Sequence, residues 1–546
     1  MTQRPTSMSA PRLRGAANTA VVLVVCSIVA LVVLVVAALA LRGEAPLIQS
    51  DDSPTDTSPL RLYCAAGVRP TVQKILDDYE QRYGVKVEVH AHGSGTLFGQ
   101  IKTESELGSA PDLYLSAEDT YLDAGQETGV LAEVLPVGTQ RPVLVVAPGN
   151  PLGITSLRDL ADPANEIDFG IANEGAAVGK KTRAIAEAMG IREAIETNRK
   201  TEQETVVALV DAVRVGALDA AVVWDTIAAM TDGVEVVDDP HPAFDEHVSN
   251  IGVAVVATCD RPTEALRLAR FITARDAGLA TFADDGFEVV EGDTWAQNPR
   301  ILFYSGSMFR AVFEDTITAF AEREGVTIDV QWAGCGKLVA QMDALLETGV
   351  SPDQFPAAYL ACDVQFYDMI QERDGQRIFG ESTVVSENDI VIAVAKGNPH
   401  NIQSPEDLLK PGVRLGVCHP TDSALGRLTL QMLSSERFNN IYGRVQEAKS
   451  VGVDTGPTLV SQIMTGGLDA VVVYRSNVLS SERNTEALDI VEIDDGDSGL
   501  ARAIQPWSIA EMSEHKQLMQ RLFEVLSSAD SRERFESAGF HWRDPE

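Results

Sequence analysis

The stretch His92-Gly93-Ser94-Gly95-Thr96-Leu97 decides how this chain is read, because its pattern occurs twice. Counted forward from Gly84 and again from Gly325, the register holds without a gap, so that Gly93, Ser94, Gly95 and Leu97 fall on Gly334, Cys335, Gly336 and Leu338. Each copy follows a strand-like run, Val85 to Val89 or Val326 to Val330, and precedes an apolar-periodic helix. A small-residue turn feeding a helix leaves backbone N–H groups free, which is what an anion cradle needs. The same turn also suits an ordinary helix cap, so the rest of each copy has to carry the reading.

Working outward, the first copy opens with a strand, Leu60 to Cys64, a tight turn at Ala65-Ala66-Gly67, and a helix from about Pro70 to Tyr83 with Val72, Ile75, Leu76 and Tyr79 at helical spacing. Strand-like runs follow at Asp112 to Ser116, Val143 to Ala147, Asp168 to Ala172 and Asp219 to Val223, with helical stretches between them. Alternating order of this kind predicts α/β architecture with parallel-rich sheets covered on both faces. The second copy repeats the landmarks: Tyr114 to Glu118 matches Tyr359 to Asp363, Val143 to Pro151 matches Val391 to Pro399, and Gly216 to Ala220 matches Gly466 to Ala470. The boundary falls near Trp295 to Arg300, which divides the folded part into 60–296 and 297–546.

Composition narrows the function classes. The chain has 546 residues, 45% hydrophobic and 23% charged, too many for one core and right for two. A formal net charge of −36 argues against nucleic acid and against an anionic membrane surface. It leaves a small anion open, since salt screens a diffuse surface field over about 8 Å. Six cysteines are few for the length and imply no disulfide framework.

Ahead of the folded part, residues 1–19 are polar, with Arg4, Arg12 and Arg14 and no acidic residue, and are expected to stay in the cytoplasm. From Ala20 to Leu41 no charge interrupts the run; these 22 residues at about 1.5 Å each reach about 33 Å, enough for a hydrocarbon core of about 30 Å. With arginines before the run and Glu44, Asp51, Asp52 and Asp56 after it, both copies are placed outside the cytoplasm on a single-pass anchor. A cleaved signal peptide is the competing reading, because Ala38-Leu39-Ala40 has small-x-small form; the anchor is preferred because the run is longer than a typical signal core. Residues 42–59 are rich in Pro, Ser, Thr and Asp, the composition of a flexible tether.

Taken together, the AAG turn at Ala65 to Gly67, GSGTL at Gly93 to Leu97, DLYLSAED at Asp112 to Asp119, VLVVAPGNP at Val143 to Pro151 and GALDAAVVW at Gly216 to Trp224 resemble the periplasmic molybdate-binding proteins of ABC importers. The resemblance runs through both copies and implies two tandem type II periplasmic-binding-protein domains, each of two α/β lobes with the ligand between them. It also implies an oxyanion ligand, molybdate or tungstate first, and an ABC permease as partner, with no cofactor. A tetrahedral dianion can be held without a basic side chain where helix N-termini and hydroxyls point at its oxygens.

Carried over one residue at a time, the family's first ligand serine falls on Gly67 in copy one and Met308 in copy two, with Ser305 and Ser307 close by. The second falls on Ser94 and on Cys335, each followed by the turn glycine, Gly95 or Gly336. Backbone donors of the other lobe fall near Ala177-Val178-Gly179 and Val206 in copy one, and near Ala424-Leu425-Gly426 and Gly456 in copy two. The family tyrosine falls on Trp224 and Tyr474.

Copy two also carries three cysteines at expected strand ends, Cys335, Cys362 and Cys418, the last beside His419. In an oxidising compartment a Cys335 to Cys362 disulfide is the leading reading. A soft-metal site of these thiolates with His419 uses apt ligands but has no CxxC or HxxxH spacing behind it. No Walker loop, Rossmann glycine motif, HExxH or GxSxG occurs, and nothing argues for an enzyme. The sequence thus supports a tethered oxyanion-binding protein for import, with two alternatives: a sensor or scaffold whose domains are degenerate, or a soft-metal or thiol module in the second domain.

Overall fold

Each half of the chain passes from one lobe to the other and back, and everything that positions the site hangs from those crossings. The computed structural model describes residues 58–544. The segment expected in the cytoplasm, the expected anchor and the expected tether up to residue 57 lie outside the described residues, among which no helix is long and apolar enough to cross a membrane.

In the first half, one lobe is built on a six-stranded sheet whose core pairs are parallel: Leu60–Ala65 lies between Val87–His92 and Leu113–Ser116. Leu131–Gln140, Ser249–Val256 and Glu288–Val289 complete it as antiparallel neighbours. The chain leaves this lobe at Arg141 and enters the second as Pro142–Val146, in a five-stranded sheet with Ala220–Trp224, Phe169–Ala172, Thr201–Gln203 and Glu235–Val237. The expectation of parallel-rich sheets therefore holds for the strand-helix-strand units and fails at the crossings. A strand that must carry the chain back to the other lobe runs against its neighbours. In the second half the crossing strand is unbroken: Thr383–Ala395 pairs with Arg502–Ile509 in one lobe and with Ala470–Tyr474 in the other, so a ten-stranded sheet runs through both lobes.

Local sequence explains the helices that face the cleft. Ser94–Leu107 begins after Gly93 in extended conformation and stops at Gly108, whose φ of 69° is the left-handed conformation glycine adopts without a Cβ clash. Leu97, Phe98 and Ile101 give it a buried face. Its counterpart Cys335–Thr348 begins after Gly334 and stops at Gly349, burying Leu338, Val339 and Met342. The apolar strands are buried on both faces, as in Ala220–Trp224 and Ala470–Tyr474, where all residues are buried.

The two halves are pinned to each other. Glu324, only 1% exposed, ends helix Arg310–Glu324 and lies between Arg521 of the second half, 2.7 Å away, and Arg270 of the first, 3.7 Å away. Guanidinium groups on both sides offset the cost of taking that carboxylate out of water. Asp293 accepts from the N–H groups of Gln517 and Leu518 at 2.8 and 3.0 Å, closing the start of helix Lys516–Leu526 from the other half, and Arg323 is ion-paired with Glu133.

Candidate functional site

Three helix starts converge on one small cavity in the first half. Helix Ser94–Leu107 comes from one lobe; Ala177–Ala188 and Val206–Arg214 come from the other. Neither Gly93 nor Ala176 caps its helix with a side chain, so the first N–H groups there have no acceptor within the helix. Thr205 does cap its helix, accepting from the Ala208 N–H. The cavity holds about 20 Å³ and is lined by Gly67, Ser94, Val178, Val206 and Trp224 among others, room for about one water and not for a four-oxygen anion. The lobes are shut on each other: the Gly95 N–H donates to the Gly175 carbonyl across the cleft at 2.9 Å, and His92 Nε2 lies 3.3 Å from Glu204.

Ser94 is placed to donate. It is 2% exposed, and its Oγ accepts the Ala117 N–H at 3.2 Å, which orients the hydroxyl and leaves its proton for the cavity. Tyr114 fixes the same turn by donating to the Ser94 carbonyl at 2.9 Å. Gly67 faces the opposite wall. A Cβ there would meet Val206 Cγ1 at 3.1 Å and Trp224 Cδ1 at 3.3 Å, so the missing side chain is what keeps this end of the cleft open. Behind the cavity Glu118, 1% exposed, accepts from Ser249 and pairs with Lys181 of the other lobe at 3.4 Å. Burial and the neighbouring Asp119 raise its pKa, and Lys181 offsets only part of the rise.

The second half has the same framework and different chemistry at each of these points. Cys335, at the place of Ser94, is bonded to Cys362, at the place of Ala117, with 6.3 Å between their Cα atoms. The Cys362 N–H still points at position 335, but at 3.0 Å from a sulfur that has no proton to give. Gly306 stands where the first half has Ala65, and a Cβ there would sit 2.3 Å from Cys362 Sγ, so the glycine makes room for the bridge. Met308, buried, replaces Gly67, and its thioether accepts from the Gln505 amide at 3.7 Å. Asp363 replaces Glu118 at 3% exposure, but Leu428 stands where Lys181 would be. Its oxygens accept only backbone N–H groups, from Gln365 and Ile504, and burial pushes its pKa up to about 6. Tyr474 ends its strand with a hydroxyl that is buried and unpartnered, its pKa raised well above the usual phenol range by burial.

A family profile described as bacterial extracellular solute-binding protein matches residues 60–288 and again 301–541. The chain belongs to this family. It does so as a tandem duplication, one match in each half, and its relatives include molybdate-binding proteins. A binding protein of Haemophilus influenzae is 28% identical over 229 residues, 42% of this chain and 90% of its own. The molybdate-binding protein ModA of Mycobacterium tuberculosis is 25% identical over 251 residues, 46% of this chain and 87% of its own. Among solved structures, the Azotobacter vinelandii periplasmic molybdate-binding protein overlaps 42% of this chain and 98% of its own, with 13% identity and a TM-score of 0.36.

Of the positions expected from sequence in the first solute-binding unit, Gly67, Ser94, Val178, Val206 and Trp224 come together around the cavity. Gly95 does not line it, because its N–H is taken by Gly175. In the second unit Leu425 and Gly456 lie at helix starts, as their counterparts do, in Ala424–Leu433 and Gly456–Met464. A Cβ on Gly336 would meet the Thr421 carbonyl at 2.2 Å, so the lobes close tightly there too. Ser307 begins a short turn and is half-buried, while Ser305 is fully buried with an unpartnered hydroxyl. Cys335 corrects the expectation of a ligand donor, since it is spent in the disulfide that was the leading alternative. Cys418 is neither bonded nor clustered: it is a free, buried thiol pushed up to about 12 by burial, and among the described residues no three His, Cys, Asp or Glu side chains gather to hold a metal. Sequence reasoning missed the Glu118–Lys181 and His92–Glu204 pairs, whose partners lie far apart in the chain. The paired change of Ala65 to Gly306 and Ala117 to Cys362 was the signal available for the disulfide's fit.

Proposed function

We propose that this protein is a membrane-anchored, extracytoplasmic solute-binding protein that captures a tetrahedral oxyanion, molybdate or tungstate first, for an ABC permease. The anchor is Ala20 to Leu41, and the binding units are 60–296 and 297–546. The observation that carries the reading is the convergence of three helix N-termini and the Ser94 hydroxyl on one cleft whose described lining has His92 but no lysine or arginine. Partial positive charge at helix starts suits an anion, and fixed neutral donors select by size, because a smaller ion leaves some of them unpaired. The molybdate-binding relatives support the same class of ligand. Mechanism is hinge closure without chemistry: the cleft opens where the chain passes between lobes, admits the ion, and contacts from both lobes hold it in a closed form wider than the empty cleft of about 20 Å³.

Calorimetric titration of the full-length chain with molybdate, tungstate, sulfate and phosphate tests this. Heat with molybdate or tungstate and silence with phosphate is the expected outcome; no heat with any of the four overturns it. The reading of a sensor or scaffold with a degenerate domain is favoured by one observation, the loss of the Ser94-type hydroxyl at Cys335.

A further inference from the structure

The two clefts descend from one framework, and the changes in the second all act in one direction. The disulfide takes away the side-chain donor, and the helix start behind it keeps its geometry. Met308 places a four-atom side chain where the first cleft depends on having none, in a turn that packs against helix Gly456–Met464 just as Gly67 faces Val206. Asp363 leaves a buried carboxylate behind the cleft without the lysine that neutralises Glu118. An entering anion would lose a hydrogen bond, meet a filled wall and face a buried carboxylate that has no paired lysine and only the more distant charge of Arg427.

We infer that the second domain has been closed to the oxyanion of the first by Met308, the Cys335–Cys362 disulfide and Asp363, so that the chain binds one ion and not two. This deepens the proposed function and rests on it. The disulfide and its glycine form a matched set: Gly306 is needed only because Cys362 has a sulfur where Ala117 has a methyl. What the second cleft retains is the rest of the donor set, the uncapped helix starts at Ala424 and Gly456 and the unpartnered Tyr474 hydroxyl. Those remnants make the change reversible by few substitutions.

The test is stoichiometry by calorimetry, with molybdate as probe and the full-length chain. The unaltered protein is expected to bind one ion per chain, and the variant Met308→Gly/Cys335→Ser/Cys362→Ala/Leu428→Lys, which copies the first cleft into the second, is expected to bind two. Two ions on the unaltered protein overturn the inference while leaving the oxyanion reading intact; no ion at all overturns that reading itself. A repaired variant that melts cooperatively but still binds one ion overturns the assignment of these residues. Should the repaired variant fail to fold, Gly67→Met in the otherwise unaltered chain decides, because it fills the first cleft whichever donors the ion uses: loss of at least tenfold in affinity upholds the inference, and one ion still bound with unchanged affinity places that ion in the second domain and overturns it.

Discussion

Set side by side, the two clefts differ less in backbone than in what their turns can offer an anion. Positions 94 and 335 both begin a helix after an extended glycine, and both receive the N–H of the residue at 117 or 362. In the first cleft that N–H orients a hydroxyl; in the second it meets a disulfide. The lesson is that a conserved anion-type scaffold does not fix the ligand, because helix starts supply a field while side chains and empty space supply the selection. The latch between lobes shows the same thing. Glu204 and Asp454 occupy equivalent places, yet one pairs with His92 and the other with Lys337 from a different point of the turn.

The comparison can be broken at several points, the largest effect first. Replacing Cys335 and Cys362 together by Ser and Ala opens a loop with a sequence separation of 27 and should cost the second domain about 3 kcal/mol, read as a lower melting transition for that half only. If both halves melt earlier together, the interdomain pinning through Glu324 couples them. Ser94→Ala removes a hydroxyl from a charged ligand and leaves the Ala117 N–H without its acceptor; affinity for molybdate should fall about ten- to a hundredfold, and an unchanged titration would remove Ser94 from the site.

Asp363 gives a pH signature peculiar to the second domain. Its folded pKa lies near 6, above an unfolded value of about 3.9, so the folded state holds the extra proton between these values and stability falls as pH rises through that window. The cost at neutral pH is on the order of 3 kcal/mol, and Asp363→Asn should remove this fall in stability between about pH 4 and 6 from melts of the second domain. The smallest effect belongs to the latches. Lys337→Met and Glu204→Gln each remove one partner of a contact at the cleft rim and should leave the melting transition nearly unchanged, with Glu204→Gln raising the rate of ion release from the first cleft severalfold at most.

Much of the cleft was legible in the chain because its construction is local. A glycine before a small residue starts a helix, a left-handed glycine ends it, and repetition at a fixed register doubles the evidence; Ser94 was placed at a helix start on those grounds, and Val178, Val206, Leu425 and Gly456 through the family resemblance. The crossings were not legible. Nothing in the run from Leu131 to Val146 says that a break at Arg141 separates two sheets, whereas Thr383 to Ala395 passes through as one strand.

By itself the sequence determined the duplication, the α/β order, the family and which residue types stand at each turn, since these depend on neighbours along the chain. Only the tertiary structure decided which positions share a cavity, that the Gly95 N–H is spent on Gly175, that Gly306 makes room for the Cys335–Cys362 bridge, and that Asp363 lacks the lysine that neutralises Glu118. Those facts turn on contacts between lobes that meet only when the chain is folded, where burial sets the cost of an unpaired charge and a missing Cβ sets the space for a ligand.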